Sequence, residues 1–190
     1  MASRWSGEAS SILNRSYFEL LCDAMEMCSK DPESIFVGQA VEVEGTGMSK
    51  SLNTLPIKQR LELPVDEDFQ LGISIGMALE GKRVISIFPR WNFLLLAMNQ
   101  LVNHLDKLVE LGISIERPLI IRTAIGSEKP LYPGPQHVGD FTEAVAMMCN
   151  NIEVVRLDTK NQILREYEKA LSRQDSKSTL IVEWSDRYND

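Results

Sequence analysis

Three consecutive acidic residues, Asp66, Glu67 and Asp68, stand where a short extended segment meets the start of a predicted helix. Acids in a first helical turn usually cap free amide groups and complement the helix dipole. Here the apolar stretch Phe69–Ile73 follows, so we expect one carboxyl to be partly buried. A buried carboxyl among like charges favours its protonated form, which suits proton control at a catalytic site. The residue types alone leave capping and catalysis both open.

A histidine and an arginine form a second group of candidate residues. His137 lies in the Gly- and Pro-rich segment Thr123–Gly139, and Arg90 lies in the short turn Pro89–Asn92. A histidine that titrates near neutral pH can transfer protons, whereas a loop histidine bonded to backbone is structural. A guanidinium can bind an acidic group of a substrate or remain a solvated charge. The other histidine, His104, falls inside a predicted helix, where a structural role is expected.

Strands and helices alternate along the chain, and several strands are continuous apolar runs. The predicted helices are Tyr17–Cys28, Asp68–Glu80, Asn92–Leu111, Asp140–Cys149 with a capping box from Asp140 and Glu143, and Asp158–Leu171. The predicted strands are Ser34–Val37, Val84–Phe88, Pro118–Arg122, Ile152–Leu157 and Leu180–Glu183, with an extended segment at Leu61–Val65. The pattern predicts one α/β domain over residues 1–190, with three layers and a mostly parallel sheet covered by helices on both faces.

In sheets of this kind, ligands bind beyond the carboxyl ends of the strands. The segments expected at that edge are Gly38–Lys58, Val65–Asp68, Pro89–Asn92 and Thr123–Gly139. The stretch Ala40–Lys58 is polar, and we interpret it as a long mobile loop, which at this length is usually either functional or disordered. The candidate acids, His137 and Arg90 are therefore predicted to gather at one edge of the sheet.

Composition and charge exclude several classes of function. A formal net charge of −7 argues against nucleic acid as a partner, because neutralising phosphates requires surplus Lys and Arg. No apolar run is long enough to span a membrane, and Met1–Gly7 lacks the apolar core of a signal peptide. The cysteines Cys22, Cys28 and Cys149 lack metal-ligand spacing and suit a reducing compartment. We expect a cytoplasmic protein with buried thiols and no metal site of its own.

Four motifs follow one another in a specific order. They are the run Leu63–Arg83 with its Pro-Val-Asp-Glu start and Gly-x-x-x-Gly, the aromatic turn Phe88–Phe93, the helix motif Met98–Asn103, and Pro118–Arg122 followed by Gly126 and Gln136-His137. Together they resemble the transketolase-like pyrimidine-binding domain of thiamine-diphosphate-dependent enzymes, in particular the beta subunits of 2-oxo-acid dehydrogenase first components. The similarity runs from about Asn14 to Glu183, and the ordered set is far more specific than any single motif.

The resemblance implies roles for five residues. In the family, the glutamate equivalent to Glu67 hydrogen-bonds a ring nitrogen of the cofactor's aminopyrimidine, which promotes formation of the nucleophilic ylid. Phe93 matches the aromatic residue that packs on that ring, and the adjacent Asn92 is expected to help bind the cofactor. His137 matches a histidine that faces the reacting substrate. Arg90 replaces a small or neutral residue of the family, so we expect it to bind an acidic group of the substrate.

The resemblance also implies a partner subunit. The chain lacks the Gly-Asp-Gly…Asn motif that binds magnesium and diphosphate, since Gly139-Asp140-Phe141 does not continue it. By the same comparison we expect no C-terminal domain like that of the family's beta subunits. We therefore expect a hetero-oligomer, most simply a heterotetramer, whose other subunit binds the diphosphate and magnesium, and a chain that is inactive alone. Gly72 and Gly76 fit either the subunit contact or close packing on the sheet.

The implied reaction cleaves or forms a bond next to a carbonyl. Its substrate would be a 2-oxo acid that loses carbon dioxide or a ketose that donates a ketol unit, and a small biosynthetic enzyme fits better than a full dehydrogenase complex. One alternative is a non-catalytic paralogue that stabilises its partner. Another is an unrelated nucleotide-binding α/β domain, although the chain lacks a glycine-rich strand-to-helix turn of the standard form.

Overall fold

Six strands form one sheet in a computed structural model that describes residues 14–43, 45–129 and 132–190. In chain order the strands are β1 (Ser34–Gly38), β2 (Arg60–Glu62), β3 (Arg83–Ile87), β4 (Ile120–Ile125), β5 (Ile152–Arg156) and β6 (Ser178–Trp184). Their spatial order is β2-β1-β3-β4-β6-β5, and all five pairings are parallel. The predicted α/β fold with a parallel sheet is confirmed. The expectation for Met1–Gly7 lies outside the described residues.

Helices cover both faces of the sheet. They are α1 (Tyr17–Ser29), α2 (Gly47–Lys50), α3 (Glu67–Leu79), α4 (Trp91–Leu94), α5 (Thr142–Met148) and α6 (Ile163–Leu171). Helices α1 and α6 pack with α2 on one face, whereas α3, α4 and α5 pack on the other. No helix in the described part of the chain has the length and apolar character needed to cross a bilayer.

Alternating residues of the central strands supply two separate cores. In β4, Ile120 faces the α1 side and Ile121 faces the α3 side, and Ile181 and Leu180 of β6 divide in the same way. Successive side chains of a strand point to opposite faces, so a strand buried on both faces must be apolar throughout. This requirement explains the continuous apolar runs in the sequence.

The segment Asn92–Leu111, predicted as one long helix, is helical but irregular. α4 ends at Leu94, and tight 3-10 turns at Leu95–Ala97 and Leu105–Lys107 flank a wider π turn at Gln100–His104. The path remains helical, so residues spaced by three or four still reach the core: Leu94, Ala97, Leu101, Leu105 and Leu108.

A buried acid fixes the far end of this irregular segment. Asp106 is fully buried, and its carboxylate accepts a hydrogen bond from the amide of Asn151 at 2.7 Å. With the changes of helical pitch along this segment, both its apolar residues and this acid reach their partners. His104 lies on the exposed side, with Nε2 3.3 Å from the amide nitrogen of Asn99.

The segment Ala40–Lys58, predicted as an open polar loop, packs against the protein. It contains α2, and four of its apolar side chains are buried, Val41, Met48, Leu52 and Leu55, whereas Val43 and Ile57 are exposed. At the end of β2, the Glu62 carboxylate accepts the amides of residues 40, 41 and 42 at 2.5, 2.7 and 2.9 Å. These contacts give the segment a defined path that its polar composition did not predict.

Two smaller predictions also need correction. The loop predicted over Thr123–Gly139 begins later, because β4 continues to Ile125. The predicted capping box of Asp140 and Glu143 is not formed between these two described residues. Instead the Asp140 carboxylate accepts both the amide and the hydroxyl of Thr142, at 2.9 and 2.5 Å, and one N–H of Arg156 at 3.0 Å. Burial alone would raise the pKa of Asp140, but these hydrogen bonds outweigh it and lower the pKa.

Two of the three cysteines are buried as predicted, and the third is only partly buried. Cys28 and Cys149 are buried, Cys22 is half-buried, and all three are free. Desolvation raises the pKa of Cys28 to about 12 and that of Cys149 to about 11. Because the thiolate is the reactive form, these two thiols are unreactive near neutral pH.

Candidate functional site

The three acids at the start of α3 have three different environments. Asp66 is exposed and caps the helix, its carboxylate accepting the amide of Phe69 at 3.0 Å. Asp68 is half-buried and accepts the side-chain amide of Gln100 at 3.1 Å. Glu67 is only 6% exposed, and its carboxyl makes no hydrogen bond or ion pair to another described residue. Capping therefore belongs to Asp66, and Glu67 is the buried acid that the sequence predicted.

Buried polar side chains attach α3 to the carboxyl end of β3. The amide of Gln70 donates to the carbonyl of Ile87 at 2.9 Å and to the hydroxyl of Ser86 at 3.2 Å. The hydroxyl of Ser74 donates to the carbonyl of Gln70 at 2.7 Å and lies 3.1 Å from the Ser86 hydroxyl. Glu67 precedes Gln70 by three residues and shares its helix face, so this attachment also sets the position of Glu67.

Sequence reasoning missed this attachment. Its signal was the pair Gln70 and Ser74, two polar residues at i, i+4 spacing on the buried side of an apolar helix. Buried polar groups require partners, so the pair indicated a contact with backbone or with another polar side chain.

The turn after β3 brings together several of the predicted residues. Phe93 is half-buried, and its ring centroid lies 6.2 Å from that of His137 with a tilt of 38°. Trp91 is buried beneath the turn and meets Phe141 edge to face at 6.3 Å. These two aromatic contacts hold the loop between β4 and α5 against the turn, and so place His137 beside Phe93.

Three polar atoms of this region are buried without a hydrogen-bond partner among the described residues. They are Nε1 of Trp91, Oδ1 of Asn92 and Nδ1 of His137. A buried polar atom without a partner costs free energy, which a bound group of complementary polarity offsets. A ligand that reached between the turn and the facing loop would supply the partners that these atoms lack.

A cavity of about 680 Å³ opens at the carboxyl ends of the strands. Its described lining comes from α1, the segment before and within α2, the turn after β3, the loop after β4 and the turn after β6: Phe18, Gly45, Thr46, Gly47, Met48, Lys50, Pro89, Arg90, Phe93, Ser127, Lys129, Pro133, Ser185, Tyr188 and Asn189. Of the predicted site residues, Arg90 and Phe93 line it and His137 lies beside Phe93. Glu67 and Asn92 are not among the described lining residues.

A fully buried ion pair supports the wall of the cavity near Tyr188. The guanidinium of Arg122 donates two hydrogen bonds to the carboxylate of Glu183, at 2.7 and 3.0 Å. The hydroxyls of Tyr167 and Tyr188 donate to the same carboxylate at 2.7 and 2.6 Å. The ring of Tyr188 lies under Gly47, where a β-carbon would come within 2.8 Å of it. The pair thereby ties the sheet to the residues that line the cavity.

The helix glycines do not pack tightly on the chain's own sheet. A β-carbon on Gly72 would make only ordinary contact with Gln100, at 3.6 Å, and one on Gly76 would meet no described atom within 4 Å. Close packing on the sheet therefore does not explain their spacing. Within the described residues no group of three His, Cys, Asp or Glu side chains could hold a metal ion.

A family model described as the transketolase pyrimidine-binding domain matches residues 15–189. The match covers nearly the whole sequence, and the chain belongs to this family. Its fold is that of the pyrimidine domain of thiamine-diphosphate enzymes, as predicted.

Two solved structures illustrate the likeness of fold. A split-gene transketolase, described as an inactive beta4 tetramer, has a TM-score of 0.58 at 11% identity over 90% of this chain and 51% of its own. A putative thiamin diphosphate-dependent enzyme from Mycobacterium smegmatis has a TM-score of 0.62 at 15% identity over 86% of this chain and 30% of its own. The chain thus spans about half or less of the length of these proteins. A sequence search of curated proteins gives no match.

Proposed function

We propose that residues 1–190 form the pyrimidine-binding subunit of a thiamine-diphosphate-dependent enzyme whose second subunit binds the diphosphate and magnesium. The observation that carries the proposal is Glu67, a buried carboxyl that makes no hydrogen bond to any described side chain and is not needed as a helix cap. A buried carboxyl free of protein partners is suited to hydrogen-bond a ring nitrogen of a bound heterocycle.

Two residues of the turn after β3 fit the aminopyrimidine half of the cofactor. Phe93 presents a half-buried ring on which a flat heterocycle can pack. The unpartnered Oδ1 of Asn92 is an acceptor, and an aminopyrimidine carries an amino group that can donate to it. When bound, thiamine diphosphate supplies a carbon nucleophile that attacks a carbonyl and stabilises the charge left when the adjacent bond breaks.

The remaining side chains act on the substrate. His137 lies beside Phe93 with an unpartnered Nδ1, so it can hold or transfer a proton at a substrate oxygen. Arg90 lines the adjoining cavity and can bind an acidic group. We propose a 2-oxo acid or a ketose as the substrate, which is cleaved next to its carbonyl. We also propose that the enzyme lies in the cytoplasm, because its three cysteines are free thiols.

An exposed apolar surface beside Glu67 supports the need for a partner. Val65 is 81% exposed, Phe69 48% and Leu96 64%, and the segment carrying Leu96 packs against α3. Exposed apolar side chains grouped in this way are typical of protein interfaces. We propose that the diphosphate-binding subunit covers this surface, closing the site over Glu67, and that two such pairs form a heterotetramer.

Cofactor binding by the separate and mixed subunits tests the proposal. We expect the chain alone to bind thiamine diphosphate weakly and to have no activity, and a mixture with its partner to bind it tightly in the presence of magnesium. Mixing with Glu67→Gln should keep assembly and lose activity by about 100-fold or more, as expected for a group that controls a proton. Full activity of the Glu67→Gln mixture would favour a non-catalytic, structural subunit instead.

A further inference from the structure

The cations of this acidic protein are distributed unevenly. Among the described arginines, only Arg90 has a guanidinium without a hydrogen bond, ion pair or ring contact to a described residue. Among the described lysines, four have ammonium groups without such a partner: Lys30, Lys50, Lys58 and Lys129. Three of these five unpartnered cations, Arg90, Lys50 and Lys129, line the same cavity of about 680 Å³.

The cavity has no described negative charge to balance these cations. Its described lining contains no Asp or Glu, although the whole chain has a net charge of −7. Arg90 is half-buried and the two lysines are exposed, so three like charges that repel one another face one space. An anion bound there would relieve this repulsion and pair with the five N–H donors of the guanidinium. The volume is ample for a small metabolite.

Separate anchors fix the backbone at each cation. The carbonyl of Arg90 accepts the amide of Phe93 at 3.1 Å. Lys50 ends α2, whose first turn is closed by the reciprocal bonds of Thr46 and Ser49.

The backbone at the third cation, Lys129, is anchored by the turn after β6. The Asp186 carboxylate accepts the amides of Glu128 and Lys129 at 2.7 and 3.0 Å. The backbone before it bends at Gly126, where φ is +79° and a β-carbon would collide with Asp186. The backbone that carries each of the three charges is therefore anchored around one space.

We propose that Arg90, Lys50 and Lys129 form an anion subsite that binds a carboxylate or phosphate group. That this anion is carried by the substrate, on a part remote from the carbonyl that reacts, rests on the function proposed above. The substrate class is then narrowed to acidic molecules, either phosphorylated ketoses or 2-oxo acids with a second carboxylate. Binding of the anion itself does not require the cofactor.

Calorimetric titration of the cofactor-free 190-residue chain with inorganic phosphate and with malonate, at low ionic strength, tests the subsite. We expect saturable binding of at least one probe, weakened about tenfold or more by Arg90→Gln, in line with the strength of a hydrogen bond to a charged group. Lys50→Gln and Lys129→Gln should each weaken binding by a smaller factor. The stronger probe indicates whether the natural ligand carries phosphate or carboxylate.

Lys30→Gln and Lys58→Gln are matched controls, because they remove unpartnered lysines that do not line the cavity. They should leave the affinity within about twofold, since distant exposed charges contribute little. Absence of saturable binding to the unaltered chain, or an equal loss in the control variants, overturns the subsite. If the chain binds anions but the Glu67→Gln mixture stays fully active, the subsite stands and only its link to thiamine diphosphate is removed. If Glu67→Gln abolishes activity but the chain binds no anion, only the subsite is removed.

Discussion

Neighbouring residues of one type acquire different functions because the helix turns each one toward different surroundings. Asp66 points outward as a cap, Asp68 holds Gln100, and Glu67 is buried without a described partner. The sequence indicated that one acid would be buried, and the resemblance to the family selected Glu67. Physical reasoning from the sequence could not make that choice, since it depends on the rotation of α3 about its axis.

Asp140 is the residue for which we predict a pH-dependent contribution to stability. Its pKa is lowered in the folded state, so the unfolded chain binds the proton more readily. Its contribution is complete above the unfolded pKa of about 3.9 and is lost as pH falls through the lower folded value. Asp140→Asn should therefore reduce the free energy of unfolding in urea at pH 6. The deficit should shrink toward pH 3, and a deficit that stays constant with pH would contradict this assignment.

Regular elements were predictable from the sequence, and the polar attachments between them were not. The strands are short continuous apolar runs, and β1 and β3 match their predicted positions to within a residue or two. The segment after α4 was predicted as one helix because the spacing of its apolar residues does not reveal changes of helical pitch. Gln70 and Arg122 were missed because their partners are distant in sequence and only the folded sheet brings them together.

The ion pair between β4 and β6 should show strong energetic coupling. Removing one partner leaves a buried charge uncompensated, so Arg122→Met and Glu183→Leu should each cost about 3–5 kcal/mol of unfolding free energy. The double variant should cost less than the sum of the two by about 1 kcal/mol or more, because the charge itself is then absent. Chemical denaturation of the four proteins measures the coupling, and strict additivity would show that the two side chains act independently.

At the scale of the whole molecule, the chain resembles one half of an active site. The cavity and the buried acid lie at the sheet edge where ligands bind in this fold class, yet apolar side chains remain exposed beside the acid. A β-carbon on Gly76 of the same helix would meet no described atom within 4 Å beyond the backbone of its own helix. Both features agree with a surface that a second subunit covers.

Assembly should depend on this apolar surface. Leu96→Glu places a charge where the partner is proposed to dock, so we expect it to weaken association by about tenfold or more, the scale of a residue at the centre of an interface. Leu111→Glu is the control, since Leu111 is also well exposed, at 70%, but lies far along the chain from α3. Size-exclusion chromatography with light scattering reports the complex, and equal effects of the two variants would place the interface elsewhere.

The claim at the centre of this account is that Glu67 activates the cofactor, and it can be measured without knowing the substrate. The measurement is the rate at which the thiazolium C2 proton of thiamine diphosphate exchanges with deuterium oxide, followed by NMR in the reconstituted enzyme. We predict that Glu67→Gln slows this exchange by about 100-fold or more, while Asp68→Asn changes it only slightly. Exchange as fast in Glu67→Gln as in the unaltered enzyme would contradict the account.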